Sequence, residues 1–519
     1  MAMIHLNGLP FSWISGKQIS DTQLEECSAL YENHYGIYGE GVSIRGVKPG
    51  DRIRMKPKRM RALLAVDGAY AALAHLEDKL VAYAFLVIGA VEGEGVVSWV
   101  TQLVVHTEYR NQKVATRLLH AAWGLSDRFA WGLATANPFA VRALEGATRR
   151  SCDPAVTFRH LAQLRQFTSE RINYFENAQF YVDERQSIVD TRFFVNHSTI
   201  ADKMERLRMN ENTWPLGVLR DGMEWCAVTF RSQPQRRFTV EDLDRLLADQ
   251  DGIVKEAYAR MLLDTAHRWM KATSGEVDQI IEHLGIAAGA TVLDAGCGIG
   301  RHAIELAKRG YQVVGVDFVP SLVQRAAESA QEAAVADRAQ FIVGDCRNLA
   351  LGRKFDGAIC LYDVVGSFPH NADNNALLQG VANHIRPGGR LLMSVLNRGL
   401  VEAQAIHRGP IGDNLDTLLR LQPSNTMQKT GEIFNPQYYF YDSTTGVVYR
   451  KEQFTLDNNI PCELIVRDRR YTADELHSLC RSVGIEPLWT RHVRMGKWDD
   501  HLAAHDPNAK EVLLLGESR

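Results

Sequence analysis

The chain has 519 residues, too many for one hydrophobic core, and about three units of ~150 residues are expected. Composition is that of a soluble globular protein, 45% hydrophobic and 23% charged; a net charge of -3 argues against a surface given over to nucleic acid and leaves a local basic patch open. No apolar run approaches the roughly 20 residues that span a bilayer, the first residues do not read as a signal peptide, and the eight cysteines form no CxxC pair, so neither a metal site nor a disulfide framework is indicated and a cytoplasmic location is expected.

In chain order, a helix is expected near residues 21–35. A basic run follows: Arg45, Lys48, Arg52, Arg54, Lys56, Lys58, Arg59 and Arg61, opposed by Asp51. Such a run is a solvated face, a phosphate contact or a grip on a polyanion such as tRNA or DNA. Residues 69–76 and 80–88 flank the polar Glu77-Asp78 and read as a hairpin, 96–105 as a third strand, and 113–126 as a helix. The loop from Arg110 runs into that helix's N-terminus, where free backbone amides suit a pyrophosphate. Across 158–288 the pattern is mixed. Strands are expected at 179–182 and 191–195, and Thr239 caps a helix with Asp242 three residues on.

The segment ending Gln102-Leu103-Val104-Val105-His106, the spacing Arg110-x-x-Lys113-x-Ala115 and the later Asn137-Pro138-Phe139-Ala140 resemble the GCN5-related N-acetyltransferases (GNAT) over roughly residues 63–150. The resemblance implies an acetyl-coenzyme A site formed by Val104, Val105, Arg110, Gln112, Val114, Ala115 and Asn137, with Gln102 in contact and Glu108 or His106 as base. It also offers the coenzyme's 3′-phosphate as a partner for the basic run. Two positions depart from the family: Lys113 stands where it has glycine, and Leu144 where many members have a tyrosine that protonates the leaving thiolate. Acyl transfer and a non-catalytic ligand-binding domain both stay open.

From about residue 289 strands and helices alternate cleanly, the pattern of a parallel α/β sheet. A strand ends at Asp294 and turns through Gly296-x-Gly298-x-Gly300 into a helix; the next strand ends in Asp317. Glycines allow the tight turn and close backbone approach to a ligand, and an acid at a strand tip suits ribose hydroxyls. Alone, this suits NAD as well. The G-x-G-x-G spacing, a third strand ending in Asp345-Cys346, a fourth at 355–360 and the Arg386-Pro387-Gly388-Gly389 turn resemble the class I S-adenosylmethionine (SAM) methyltransferases over about 289–395. The resemblance implies that Asp294, Gly296, Gly298 and Gly300 cradle the methionine part, Asp317 holds the ribose, and Asp345 and Cys346 flank the adenine.

Methyl transfer needs chiefly alignment, with a base where the acceptor carries a proton. Asp363 and His370, after the fourth strand, are the expected catalytic residues, with Tyr362 and Asn371 beside them. An insertion with a tyrosine-rich hairpin at 434–450 follows, in which Tyr438, Tyr441, Arg467 and Arg470 are placed to meet an acceptor. Thr472 and Glu475 form a helix cap, and a strand at 510–515 is expected to close the sheet.

The fold class expected is α/β throughout: a GNAT-like domain at 1–157, a mixed segment at 158–265 and a Rossmann-like methyltransferase domain at 266–519. The function expected is a two-headed tailoring enzyme that methylates and acylates a small amine-bearing metabolite or natural-product intermediate. The alternatives are a nucleic-acid or nucleotide modifying enzyme using the 45–61 run, and a methyltransferase with a non-catalytic GNAT-like domain. Oligomeric state is not indicated.

Overall fold

A computed structural model of the chain describes residues 11–124, 126–265, 270–424, 433–455 and 461–519. The first ten residues, read above for a leader, lie outside the described residues. The chain forms two compact units, Met1–Ile253 with Phe454–Leu464, and Val254–Gln453 with Ile465–Arg519. No helix among the described residues is long and apolar enough to cross a membrane.

The first unit is built on an eight-stranded sheet. Its strands are β1 (Phe11–Ser15), β2 (Ala69–Leu76), β3 (Lys79–Val91), β4 (Gly95–Val105), β5 (Ala130–Thr135), β6 (Gln179–Val182), β7 (Ser187–Asp190) and β8 (Met223–Phe230). They lie in the order β1-β2-β3-β4-β5-β8-β7-β6. Residues 158–253 are therefore no separate domain, because their strands β6–β8 extend the sheet begun by β1–β5. β2 and β3 form the expected hairpin and are buried along nearly their whole length, which is why they read as apolar runs rather than alternating ones. The helix Asp21–His34 starts on a capping box: Gln23 N–H donates to Ser20 Oγ at 3.2 Å, and Ser20 N–H to Gln23 Oε1 at 2.9 Å.

The strand expected at 191–195 does not form. Asp190 Oδ1 accepts the Arg192 N–H at 3.0 Å, and Arg192 takes φ 53°. This Asx turn breaks the extended chain, leaving Val195 only an isolated bridge to Tyr38. β4 and β5 run parallel, paired from Val97↔Ala130 to Val100↔Leu133. A bulge at Thr101 then shifts the β3–β4 register, and β4 continues to Val105 without β5 beside it.

The second unit holds β9 (Thr291–Ala295), β10 (Gln312–Asp317), β11 (Ala339–Val343), β12 (Phe355–Cys360), β13 (Ile385–Leu396), β14 (His407–Gly409), β15 (Tyr439–Asp442), β16 (Val447–Thr455) as far as Gln453, β17 (Pro461–Arg469) from Ile465, β18 (Ile485–Arg494), β19 (Lys497–Leu502) and β20 (Glu511–Ser518). Its main sheet runs β11-β10-β9-β12-β13-β20-β18-β19, with β9 to β13 parallel. The chain moves outward from β9 to β11 and then crosses back to β12. β9 and β12 therefore meet at the switch point, where open α/β sheets bind ligands at the carboxyl ends of their strands. β20 does not close the sheet: it lies between β13 and β18, antiparallel to both, and β19 forms the edge. The insertion forms a four-stranded sheet, β14-β15-β16-β17. Its hairpin begins at Tyr439 rather than 434, because Pro436 has no N–H to give a ladder and Asn435 Oδ1 takes the Gln437 N–H at 3.2 Å.

Candidate active site

Four strand ends converge at the switch point. Asp294 is buried on β9, between Gly315 of β10 and Ile359 of β12. One of its carboxylate oxygens, Oδ2, is buried with no hydrogen-bond partner. Burial pushes its pKa up to about 7, against the opposing charge of Arg301. A buried acceptor without a donor is costly, and a ligand carrying a cationic N–H would relieve it.

The turn that follows is held by the next strand. Gly296 N–H and Cys297 N–H both donate to Val316 O, at 2.8 and 3.1 Å. Gly296, Gly298 and Gly300 have φ of 72°, 54° and 74°, the left-handed region that glycine alone enters freely. A Cβ on Gly296 would stand 2.4 Å from Val364, whereas one on Gly298 would meet nothing within 4 Å. The backbone at Gly298 thus borders open space.

Asp317 ends β10. Its two oxygens accept the Gly298 N–H and the Val319 N–H, each at 2.9 Å, and burial raises its pKa against those two bonds. Each oxygen keeps a lone pair for a ribose hydroxyl. Beside it Phe318 is an exposed ring, 42% accessible, with the Lys255 ammonium 4.9 Å from its centroid. Asp345 lies beyond the end of β11 and caps a short turn by accepting the Arg347 N–H at 2.9 Å. The Arg347 guanidinium also grips that carboxylate and holds its pKa down. Cys346 is buried next to it.

Past β12, Tyr362 and Asp363 are successive left-handed residues, with φ of 62° and 68°. β13 clamps both: Tyr362 N–H donates to Ser394 Oγ at 2.8 Å, Asp363 N–H to Ser394 O at 3.1 Å, and Leu396 N–H to Asp363 Oδ1 at 3.1 Å. Burial, then the charge of Asp468, raises the Asp363 carboxyl well above the usual range, so its neutral form is favoured. Asp468 is held in turn by Arg450 and by Arg470, whose Nε is 2.9 Å from it; Arg450 also donates to Tyr258 at 3.1 Å. Arg470, expected from the sequence to meet an acceptor, is fully buried with its Nη1 unpartnered. His370 stands exposed at the start of the helix Asn371–Ala382, where its side chain makes no cap.

A second network went unread in the sequence. Glu276 accepts from Tyr362 OH at 2.6 Å, pairs with Arg301 and lies 2.8 Å from His302 Nε2. Despite the upward push of burial, His302 and Arg301 hold its carboxyl at about 2. Glu511, 2.9 Å from Ser394 Oγ, is pushed up by burial to about 7. This network fixes the first turn of the helix after Gly300. Only the adjacency of Arg301 and His302 to the glycine turn hinted at it.

In the first unit, the loop before the helix Val114–Trp123 places Asn111 and Lys113 in the left-handed region, at φ 62° and 60°. The amides of Val114 and Ala115 open that helix and have no partner within it. Lys113 thus adopts the conformation its glycine counterpart would favour. Arg110 turns inward: its Nε donates to Val105 O at 3.1 Å, and its Nη2 to His34 O. Gln112 Nε2 donates to Glu108 O at 2.9 Å, and Asn137 caps the helix Pro138–Thr148 by accepting the Phe139 N–H at 3.2 Å. Val104 is buried on β4 and Val105 half-buried at its end. Of the basic run, Arg52 donates to Asn33 O, Arg54 pairs with Glu32, and Arg61 pairs with Asp21.

Residues 292–389 match the family model described as a methyltransferase domain. The chain is 34% identical over 113 residues to the ubiquinone biosynthesis O-methyltransferase of Xanthomonas axonopodis pv. citri (strain 306), covering 21% of this chain and 45% of that protein. It is 31% identical over 122 residues to the tRNA 5-carboxymethoxyuridine methyltransferase of Escherichia coli (strain K12), covering 24% and 46%. The chain thus spans about half the length of the curated relatives it matches. Among solved structures, the CcbJ methyltransferase of Streptomyces caelestis aligns at 16% identity over 48% of this chain and 96% of that one, with a TM-score of 0.37. With this geometry and the family match together, the second unit carries a class I SAM-dependent methyltransferase domain.

Proposed function

We propose that the protein is a tailoring enzyme: its second unit methylates a small amine-bearing metabolite or natural-product intermediate, and its first unit acylates such a substrate from acetyl-coenzyme A. The observation that carries the methyl-transfer reading is the unpartnered, buried Asp294 oxygen beside the open Gly298 backbone. An α-ammonium group would satisfy the first, and the carboxyl end of a ligand would fit against the second. Asp317 would take the ribose, and Phe318 offers a flat apolar face to a base. When bound, SAM supplies an electrophilic methyl group. The chain's own residues then orient the acceptor, and Asp363, at the switch point, takes part in handling its proton.

Acyl transfer in the first unit is favoured by the end of the β4–β5 ladder at Val100 and Leu133, after which β4 runs on unpaired with β5 to Val105 and the loop before the Val114 helix. A small substrate is preferred to a nucleic acid because Arg52, Arg54 and Arg61 are engaged by local partners.

Calorimetry on the full chain tests both cofactors. Binding an ammonium should drive the proton off Asp294, so SAM affinity is expected to rise from pH 6 to 8. Asp294→Asn should abolish that slope, and Asp317→Ala should weaken SAM by about tenfold or more. Ala115→Trp should remove acetyl-coenzyme A binding and leave SAM binding unchanged. SAM affinity unaltered in both aspartate variants would sink the pocket assignment. Binding that falls steeply with salt to an RNA probe, and weakens in Lys56→Ala and Lys58→Ala, would favour a nucleic-acid substrate instead.

A further inference from the structure

The carboxylate that ties down the helix after the glycine turn also reaches the far side of the site. Glu276 is 6% exposed on the helix Thr273–Leu284, ahead of β9. Its Oε2 pairs with Arg301 and lies 2.8 Å from His302 Nε2, on the first two residues of the helix that follows Gly300. Its Oε1 accepts the Tyr362 hydroxyl at 2.6 Å. Tyr362 immediately precedes Asp363. One carboxyl group therefore grips the end of the glycine turn with one oxygen and the start of the Asp363 loop with the other. Arg301 also donates to Thr273 Oγ1 at 3.0 Å, and its guanidinium lies 5.0 Å from the Tyr362 ring centroid.

The contacts return on themselves. The Tyr362 N–H donates to Ser394 Oγ at 2.8 Å, and Ser394 Oγ donates to Glu511 Oε1 at 2.9 Å. Glu511 Oε2 in turn accepts the Gly496 N–H at 3.3 Å. Gly496, in the turn between β18 and β19, sits against the starting point. A Cβ on it would stand 3.2 Å from Glu276 Oε1 and 3.6 Å from the Tyr362 hydroxyl oxygen. The ring thus joins Glu276, Tyr362, β13, β20 and the β18–β19 turn, with the glycine-turn helix held on its Glu276 corner. A buried carboxylate that loses a partner is left uncompensated, so the glycine-turn helix and the Tyr362 loop resist shifting independently.

We propose that Glu276 is a positioning residue for methyl transfer. Through Arg301 and His302 it sets the glycine turn that receives the cofactor, and through Tyr362 it sets the backbone at Asp363, where the acceptor is handled. It need touch neither reactant. Transfer depends on the alignment of nucleophile, methyl and sulfur, and a displacement of about 1 Å costs about a hundredfold in rate. A single group shared by the two supports keeps that alignment. The inference rests on the SAM pocket assigned above.

The test is SAM calorimetry on the full chain, with a thermal midpoint for each variant to show that it is folded. Tyr362→Phe removes one hydroxyl and no charge, and should weaken SAM about threefold or more; Glu276→Gln should weaken it about tenfold or more. Because Tyr362 acts through Glu276, the double variant should bind no worse than Glu276→Gln alone. A purely structural role would lower the midpoints and leave the affinity of the folded protein where it was. SAM affinity unchanged in folded Tyr362→Phe, or losses that multiply in the double variant, overturns the proposal. Should Glu276→Gln not fold, Tyr362→Phe with Arg301→Met makes the same cycle, since both act through that carboxylate. A parent chain that binds no SAM would instead sink the pocket assignment itself, so the two failures are told apart.

Discussion

Four residues hold left-handed backbone without being glycine at the places where chemistry is expected: Asn111 and Lys113 in the loop before the first unit's helix Val114–Trp123, and Tyr362 with Asp363 after β12. Each such residue costs of order 1–3 kcal/mol and persists only where its surroundings enforce it. For Tyr362 and Asp363 together the enforcement is visible in three hydrogen bonds to β13. The Asp363 carboxyl is already biased toward the neutral form, so Asp363→Asn should fold normally. In the variant kcat is expected to fall about a hundredfold with SAM affinity unchanged, as single-turnover kinetics and calorimetry would show. At Lys113 no such clamp is needed for the fold. Lys113→Gly should relieve about 1–2 kcal/mol of left-handed cost and lose about 0.5–1 kcal/mol to chain entropy, for a thermal midpoint equal to or slightly above the parent's. The sequence showed that Lys113 departs from glycine but not that the loop keeps the glycine conformation, because φ is set by the neighbours. Asp294, Asp317 and the three glycines were legible because strand–turn–helix order fixes where they must lie. Glu276 and Glu511 were not, since helix and strand far apart in the chain bring them to the same turn.

At the scale of elements, the glycine turn is tied to its neighbours at both ends, by Val316 O and by Asp317. A methyl group there has no room at Gly300, where a Cβ would come within 2.6 Å of Phe341 and 2.9 Å of Ala326. Gly300→Ala should therefore lower the thermal midpoint by an amount equivalent to about 2 kcal/mol, combining left-handed strain with overpacking. Elements with a strong period or an unambiguous cap were readable, such as the β2–β3 hairpin and the Thr472–Glu475 box, now seen with both of its hydrogen bonds. Elements decided by local side-chain turns were not. Asp190 and Asn435 each take a backbone N–H two residues on and end a run that composition alone would extend. β20 was read as an edge because sequence does not say which strand pairs next.

Across the whole molecule, three buried carboxyls share one electrostatic condition. Glu224, Asp294 and Glu511 all sit near 7, pushed there by burial, against ordinary values of about 4. Between those values the folded chain retains protons that the unfolded chain has released. Stability without ligands should therefore fall as pH rises from about 4 to 7 and level off above. Thermal midpoints at pH 5 and pH 8 check this, and Glu224→Gln with Glu511→Gln should flatten the difference. Constant midpoints across that range would show these acids to be ionised throughout.

The helix Val240–Thr265 runs unbroken through the boundary at Ile253 and Val254, and the first unit takes back Phe454–Leu464 from within the chain of the second. Along the sequence, neither unit is thus one continuous stretch. No single scission of the polypeptide yields both of them whole: a cut at residue 265 deprives the first unit of 454–464 and the second of its opening residues from Val254. Any attempt to borrow one unit for a new enzyme must carry two stretches of chain, not one.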